Sequence, residues 1–160
     1  MTRSKTALRV LTFCAVLGAP APVLAQQSVT SFALGRDGTS ATTFNLRWHS
    51  VARPAGWSWA ASLFATSDGA AWVGGGVSYT LRPGNGAFFV RGSVMPGLYR
   101  QGNGRNLGGA LEIATGIEFG TDLRNGAQIS VLLEHRSNAG IYAVNPGLNS
   151  VSLVYSIPLN

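Results

Sequence analysis

The sequence predicts an all-β fold, an eight-stranded antiparallel transmembrane β-barrel. Three observations support this fold class. After residue 25, apolar residues recur with a period of two instead of the period of about 3.6 that is typical of a helix. Clusters of Gly, Pro, Asn and Asp separate the alternating segments. No segment after residue 25 has about 18 consecutive apolar residues, so the sequence predicts no transmembrane helix.

The N-terminal residues have the pattern of a secretory signal peptide. A basic start precedes an apolar run over residues 10–19 that is too short to span a bilayer. Val23 and Ala25 occupy the positions that a signal peptidase reads, which predicts cleavage after Ala25. We expect residues 1–25 to be this signal peptide and residues 26–160 to be one barrel domain. The alternative is an N-terminal helix that stays in the fold.

The composition of the expected mature chain excludes several classes of function. That chain has 160 − 25 = 135 residues, and its nine arginines and six acids give a net charge of 9 − 6 = +3. Its sequence contains no cysteine, because Cys14 precedes the cleavage site, so we expect no disulfide and no thiolate metal site. No basic run indicates nucleic-acid binding. We expect no metal, no other cofactor and no nucleic-acid partner.

Eight segments carry the alternation, and the first of them, residues 28–34, is weakly patterned. The fifth, residues 88–94, alternates around Phe89, Arg91 and Ser93. Each of the other six has one apolar face and one polar or small face. In chain order, the apolar faces carry Phe44, Leu46 and Trp48; Trp57, Trp59, Ala61 and Leu63; Val73, Val77, Tyr79 and Leu81; Leu111, Ile113, Ile117 and Phe119; Ile129, Val131 and Leu133; and Val151, Leu153, Tyr155, Ile157 and Leu159.

The connections between the segments indicate which end of the barrel faces outward. One alternate set is uniformly short, "ARPAG", "RPGNG" and "LRNG", and the other set is longer, "RDGTSA", "TSDGA", "PGLYRQGNGRN" and "SNAGIYAVNPGLN". Short turns at one end and longer loops at the other are typical of bacterial outer-membrane barrels. We therefore expect the odd strands to run outward from the periplasm and the four longer loops to face outside.

Two classes of barrel would orient these faces differently. A soluble lipid-binding barrel points its apolar residues inward, whereas a membrane barrel points them at lipid and fills its interior with polar or small groups. The face opposite the apolar one carries ionisable residues of both signs, which can pair in a narrow interior. These residues are Arg47, His49, Arg91, Glu112, Glu118 and Glu134. They favour the membrane class, and a soluble secreted barrel is the alternative.

Polar residues continue the apolar face where the seventh segment ends. His135 and Ser137 share the parity of that face, and Asn149 shares the parity of the apolar face of the eighth segment. Hairpin neighbours place such residues side by side, so we expect them on the outer wall, whereas His49 should point inward. Residues i and i+2 lie about 6.5–7 Å apart, so a Ser137–His135 hydrogen bond needs a long reach or a bend. The alternative is a polar strand end at headgroup level.

The segment Glu134–Leu159 resembles the C-terminal signature of the lipid A 3-O-deacylases (PagL-type). The segment contains "HRSNAGIYAVNPGLNS", and its last strand ends in "YSIPL". The resemblance implies an eight-stranded barrel in the bacterial outer membrane that hydrolyses the ester of the 3-position hydroxyacyl chain of lipid A. Its partners would be lipid A or lipopolysaccharide and the outer-membrane lipids. The sequence leaves open whether the barrel forms a homodimer.

The resemblance also implies a role for each residue of the polar cluster. Ser137 would be the nucleophile and His135 its general base. Asn145 and the backbone N–H of Gly140 would form the oxyanion hole. Asn149 stands where the family has an acid, and an amide there can orient the imidazole by accepting its N–H but balances imidazolium charge less well.

Residues around the cluster suggest how a substrate would be held. Asn138 is a further polar neighbour. Arg100, Arg105 and Arg136 lie near the outer loops, and we hypothesise that they pair with the phosphates of lipid A. The alternative, which is the more common one for loop arginines, is that they are only solvated. The alternative function is a non-catalytic structural barrel, in which "HRSNAG" is only part of a loop.

Overall fold

The computed structural model describes residues 27–84 and 86–159 as a closed barrel of eight antiparallel strands, as the sequence predicts. Each strand pairs with its neighbours in the sequence, and the first closes on the last. The strands are β1 (Ser28–Asp37), β2 (Thr42–His49), β3 (Trp57–Thr66), β4 (Ala71–Leu81), β5 (Phe88–Arg100), β6 (Leu111–Asp122), β7 (Gln128–Ser137) and β8 (Leu148–Leu159). No helix in these residues is long and apolar enough to cross a membrane. The expected signal peptide, residues 1–25, lies outside the described residues.

The loops at the end expected to face outside differ in length from the prediction. Only the β5–β6 loop (101–110) and the β7–β8 loop (138–147) are long, whereas residues 38–41 and 67–70 form tight turns. The prediction of four longer loops is therefore wrong for the first two. Residues Pro96–Arg100 were also expected in a loop, but they extend β5.

The extension of β5 follows the same alternation as the rest of the barrel. Leu98 points outward and Tyr99 is buried inside, so this segment has one face for lipid and one for the interior. Its pairing with β6 is continuous through Leu98, which lies opposite Leu111. In the sequence, Leu98 and Tyr99 are flanked by a glycine, a proline and an arginine, so their alternation was not recognised as part of a strand.

The apolar faces of the strands point outward, which excludes the soluble alternative. Leu34 and Leu153, which are paired on β1 and β8, are 56% and 59% exposed. Every strand carries exposed apolar residues, so an apolar surface surrounds the barrel. Soluble monomers rarely expose apolar patches larger than a few hundred Å². This wall therefore suits a lipid environment.

Ion pairs occupy much of the interior, as predicted from the mixed charges of the inner face. The guanidinium of Arg47 donates to Glu134 Oε2 over 2.7 Å. That of Arg91 donates to Glu118 Oε1 over 3.1 Å. All six predicted ionisable residues of this face are buried. Pairing of opposite charges offsets the large desolvation cost of placing them there.

Arg136 joins this interior network, so its expected role in binding substrate phosphate is wrong. It follows His135 in β7, and alternation turns its side chain inward. Its guanidinium donates to the same Glu134 carboxylate and stacks on Phe64, with its central carbon 3.4 Å from the ring centroid. Arg100 and Arg105 are exposed.

The outer end of the interior is apolar, which differs from the expected polar filling. Trp72 lies at the centre of this apolar cluster and donates its indole N–H to the carbonyl of Glu112 over 3.2 Å. It fits because its neighbours are Gly74 and Gly97, where a Cβ would lie 2.3 and 2.5 Å from the indole ring. The cluster contains Ala60, Phe64, Ala70, Trp72, Met95, Tyr99, Leu107, Ala114 and Leu148. It closes the barrel beneath the two long loops.

Candidate active site

His135 and Asn149 lie side by side on the outer wall, as the parity of the two strands predicts. They are direct partners in the β7–β8 register. A hydrogen bond of 2.6 Å joins His135 Nδ1 to Asn149 Oδ1, and both residues are exposed. An amide oxygen only accepts, so this bond places the proton on Nδ1 and leaves a lone pair on Nε2.

Ser137 shares the outward face with His135 and is the last residue of β7. It is half-buried and lies opposite Ile113 of β6. Within the described residues, no hydrogen bond joins Ser137 Oγ to His135, because β7 stays regular between the two. The chain bends only after Ser137, where Ala139 and Gly140 have φ values of 52° and 83°. A nucleophile–base contact that is loose without substrate is common, since such contacts tighten when substrate binds.

Asn138 organises the loop that follows Ser137. Its side chain is fully buried, and its Oδ1 accepts the backbone N–H of Gly140 over 2.9 Å. Its own backbone N–H donates to Asn145 Oδ1 over 3.2 Å. That bond engages the Asn145 oxygen, and no hydrogen bond of its NH₂ group is found within the described residues. Asn145 is exposed and can offer this NH₂ to a ligand.

The two long loops pack against each other and so support the site. Asn138 Nδ2 donates to the carbonyls of Leu107 and Val144, each over 2.7 Å. At Gly108, which has φ 100°, a Cβ would lie 1.8 Å from the oxygen of Val144. Only glycine permits this approach. The β5–β6 loop therefore holds the loop that carries Asn138 and Asn145.

Two residues that sequence reasoning missed contact His135. A Cβ added to Gly147 would lie 2.6 Å from His135 Cε1, so this buried glycine packs directly on the imidazole. On the other side, Thr115 of β6 is the register partner of His135, and its hydroxyl donates to the His135 carbonyl over 3.4 Å. The parity of β6 could have identified Thr115. The contact of Gly147 depends on how the loop folds, and no sequence pattern signals it.

A shallow groove runs along the outer wall from the His135–Asn149 pair. Its volume is about 450 Å³. The outward side chains along it are polar next to the pair and apolar further away. An acyl ester has the same arrangement, with a polar ester group followed by an apolar chain. Its lining residues are Thr115, Gly116, Ile117, Leu133, Glu134, His135, Asn149, Ser150 and Val151.

The other histidine, His49, contacts a serine inside the barrel, unlike His135, which has no hydrogen bond to Ser137 within the described part of the chain. A hydrogen bond of 2.9 Å joins His49 Nδ1 to Ser78 Oγ, and both residues are buried, which confirms the inward direction predicted for His49. A lipid at the outer wall has no access to this pair. It therefore serves as an internal control for the exposed pair at the end of β7.

Comparisons with known proteins identify the family and the fold. The family model described as "Lipid A 3-O-deacylase (PagL)" matches residues 35–158. A curated relative, "Lipid A deacylase PagL" of Pseudomonas aeruginosa, is 40% identical over 55 residues, which are 34% of this chain. The match spans only about a third, 32%, of that relative's length.

Similar solved structures are also barrels. The "Crystal structure of the outer membrane enzyme PagL" superposes with a TM-score of 0.68 and 25% identity, over 82% of this chain and 99% of that chain. A structure titled "De novo design of transmembrane beta-barrels" gives a TM-score of 0.58 at 11% identity, over 84% of this chain and 97% of the other. The outer membrane protein Ail of Yersinia pestis gives 0.53 at 14% identity, over 82% and 99%. At these lower identities the likeness concerns the fold alone.

Proposed function

Since this outer-membrane barrel belongs to the lipid A 3-O-deacylase (PagL) family, we propose that it is an esterase whose Ser137/His135 site removes the 3-position hydroxyacyl chain of lipid A. The observation that carries the proposal is the hydrogen-bonded pair of His135 and Asn149 on the lipid-facing wall, two residues from Ser137. A structural barrel has no need of an oriented imidazole in this position. In the alternative, a non-catalytic barrel, the pair would be an ordinary polar contact at a strand end.

The reaction is acyl transfer first to Ser137 and then to water. Ser137 Oγ attacks the ester carbonyl of the substrate while His135 Nε2 takes the hydroxyl proton. The tetrahedral intermediate collapses, the sugar oxygen leaves with the proton from His135, and an acyl-serine remains. Water, deprotonated by His135, then attacks the acyl-serine. This step restores Ser137 and releases a 3-hydroxy fatty acid.

Asn149 sets the direction of the base. Its side-chain oxygen accepts a hydrogen bond from the Nδ1–H of His135, which leaves the Nε2 lone pair available to take a proton. The amide carries no charge, so it stabilises the imidazolium of the transition state less than a carboxylate would. The chain is therefore expected to be active but slower than a relative with an acid at this position.

Asn145 is the better supported of the two expected oxyanion donors. Its side-chain oxygen accepts the Asn138 N–H, and the residue is exposed, so its NH₂ group can donate to a developing oxyanion. The N–H of Gly140 already donates to Asn138 Oδ1. Gly140 therefore contributes to the oxyanion hole only if substrate draws that N–H away from Asn138.

The position of the site fits a substrate that lies in the outer leaflet. The hydroxyl and imidazole are at the outer end of β7, and the groove below them is bordered by Ile117, Leu133 and Val151. An ester at the membrane surface meets Ser137 laterally while its acyl chain stays in lipid. Polar groups cost less at this level than at the bilayer midplane.

Mass spectrometry of lipid A from a Gram-negative host tests the proposal. Cells that express the wild-type chain should lose one hydroxyacyl mass, and cells that express Ser137→Ala should not. Ser78→Ala is the matched control, because it removes the serine of the buried pair and should leave deacylation intact. If a correctly inserted wild-type barrel leaves lipid A unchanged, the structural alternative is favoured.

We also propose that residues 1–25 are a signal peptide and that the mature barrel begins at residue 26. Cleavage after Ala25 would let the chain reach the outer membrane, and an intact mass beginning at Gln26 would test it. Crosslinking in the same membranes would decide whether the barrel forms a homodimer.

A further inference from the structure

Charged side chains are nearly absent from the outward face of the strands. Within the described strands, only Arg36 at the end of β1 and Arg100 at the end of β5 are charged and point outward, and no carboxylate does. A cation on an apolar wall near the membrane surface attracts lipid phosphates, because no neighbouring acid on that wall competes for it. The positions of these two arginines relative to His135 therefore decide which of them serves the site.

Arg36 lies next to the site, across a single strand. It is the register partner of Val151 in β8, and Val151 is in turn the partner of Leu133 in β7. His135 is two residues further along β7 on the same face. Two strand spacings place the backbone of Arg36 about 10 Å across the sheet from β7.

Arg100 is further than Arg36 from the register row of His135. A register row is the set of residues that are direct partners from strand to strand. The register row of His135 contains Thr115 of β6 and Val94 of β5. Arg100 is six residues beyond Val94, which corresponds to about 20 Å along the strand. From the register row of Ser137, which crosses β6 at Ile113 and β5 at Pro96, Arg100 is four residues along β5, about 13 Å, and Arg36 has the same offset along β1. Arg36 differs from Arg100 in that the end of its strand is hydrogen-bonded to Asn149.

The backbone around Arg36 is fastened to the site. At Gly35, an added Cβ would lie 2.0 Å from the carbonyl oxygen of Val151, so β1 and β8 approach more closely here than a side chain permits. The backbone N–H of Gly38 donates to the carbonyl of Asn149 over 2.9 Å. The end of β1 is thereby fixed to the residue that orients His135.

The tight β1–β2 turn also positions the guanidinium of Arg36. Asp37 Oδ1 accepts the backbone N–H groups of Thr39 and Ala41, over 2.9 and 3.1 Å. Arg36 Nη1 donates to the carbonyl of Ser40 over 3.2 Å, which holds the side chain against the turn. The remaining donors are exposed, and no ion pair within the described residues involves Arg36. A guanidinium presents them in a planar fork that matches phosphate oxygens.

From this geometry we infer that Arg36 binds a phosphate on the sugar backbone of the substrate and makes the enzyme prefer phosphorylated lipid A. The inference rests on the proposed function and extends it to recognition of the substrate. The acyl chain would lie in the groove below His135, the ester at Ser137, and the phosphate on the side of β1. Arg36 thus takes the role that the sequence suggested for Arg136, which points inward.

The test measures how much the enzyme prefers phosphorylated substrate. The full-length mature barrel in neutral detergent micelles is given bisphosphorylated lipid A, or the same lipid after both phosphates are removed. Arg36→Ala should lower the preference, the ratio of kcat/KM values, about 5-fold through KM, and Arg36→Lys should restore part of it. Arg124→Ala, in the β6–β7 turn at the opposite end, is the control and should keep the wild-type ratio.

Several outcomes would overturn the inference. An unchanged ratio in Arg36→Ala would exclude phosphate recognition by this residue, and an equal loss in Arg100→Ala would show an unspecific charge effect. An Arg36→Ala effect that requires added phosphatidylglycerol would assign Arg36 to a neighbouring lipid instead of the substrate.

A binding measurement separates this inference from the proposed reaction. Ser137→Ala protein, with and without Arg36→Ala, is titrated with the two lipids. The inference predicts that the Arg36 change weakens binding only of the phosphorylated lipid, even if the chain hydrolyses neither. If the wild type hydrolyses lipid A but Arg36→Ala binds both lipids normally, the proposed function stands and the inference fails.

Discussion

Replacing Asn149 by aspartate should increase the rate of deacylation. The variant keeps the size of the side chain and the hydrogen bond to His135 Nδ1, but it makes the acceptor a carboxylate. A carboxylate can only accept, so it holds the Nδ1 tautomer in every rotamer. An amide loses this control when it rotates its NH₂ group toward the ring. The carboxylate also stabilises the imidazolium that forms in the transition state.

The size of the effect follows from the contact distance and the exposure of the pair. A neutral hydrogen bond contributes about 1 kcal/mol, and one to a charged group contributes about 1.5–3 kcal/mol. Opposite charges about 4 Å apart attract by about 1 kcal/mol in water and about 4 kcal/mol near a protein surface. The hydrogen bond between His135 and Asn149 is 2.6 Å long, but both residues are exposed. The lower part of these ranges therefore applies. A gain of about 1–2 kcal/mol corresponds to about a 5- to 30-fold increase in kcat.

The assay is release of 3-hydroxy fatty acid by purified barrels in micelles, with kcat and KM determined separately. Asn149→Leu should lose activity, because it has the same length but no acceptor. Asn103→Asp adds the same charge to the exposed β5–β6 loop and should leave kcat unchanged. A fall in kcat for Asn149→Asp would refute the reasoning, since Asn149 would then serve in another way, such as donating its NH₂ to substrate.

Three further substitutions test separate parts of the account. Asn145→Asp keeps the oxygen that accepts the Asn138 N–H but removes the NH₂ donor, so it should lower kcat about 10²–10³-fold without changing the Tm of the barrel, as expected for loss of an oxyanion donor; an unchanged kcat would remove Asn145 from the site. Gly147→Ala should displace the imidazole that it contacts and reduce kcat about 10-fold, visible as a shifted His135 resonance in NMR spectra. Glu134→Gln leaves Arg47 and Arg136 buried without their carboxylate, so the barrel should lose about 3–5 kcal/mol of stability in urea unfolding; an unchanged urea midpoint would contradict the interior network.

The sequence predicted those features that depend on alternation alone. Parity placed His135 and Asn149 on the outer wall as neighbours, and it placed His49 inside. It also determines that Arg136 points inward, although its closeness to the loop suggested a role in binding the substrate.

Features that depend on how loops and side chains pack were not predictable in this way. The apolar cluster around Trp72 requires glycines on two neighbouring strands. Of these, Gly74 was interpreted only as a small inward residue, and Gly97 was expected in a loop. The contact of Gly147 with His135 depends on the path of a loop with no repeating pattern. The extension of β5 over Pro96–Arg100 was hidden because proline and glycine usually indicate a turn.

The most direct test of the central claim is to locate a covalent label. The purified barrel is incubated with a lipid-like fluorophosphonate, which forms a stable bond with an activated serine, and the labelled peptide is identified by mass spectrometry. The account predicts a label on Ser137 that disappears in His135→Ala, while Ser78 in the buried pair stays unlabelled. A label on another serine, or labelling of Ser137 that does not depend on His135, would contradict an esterase site on the outer wall of the barrel.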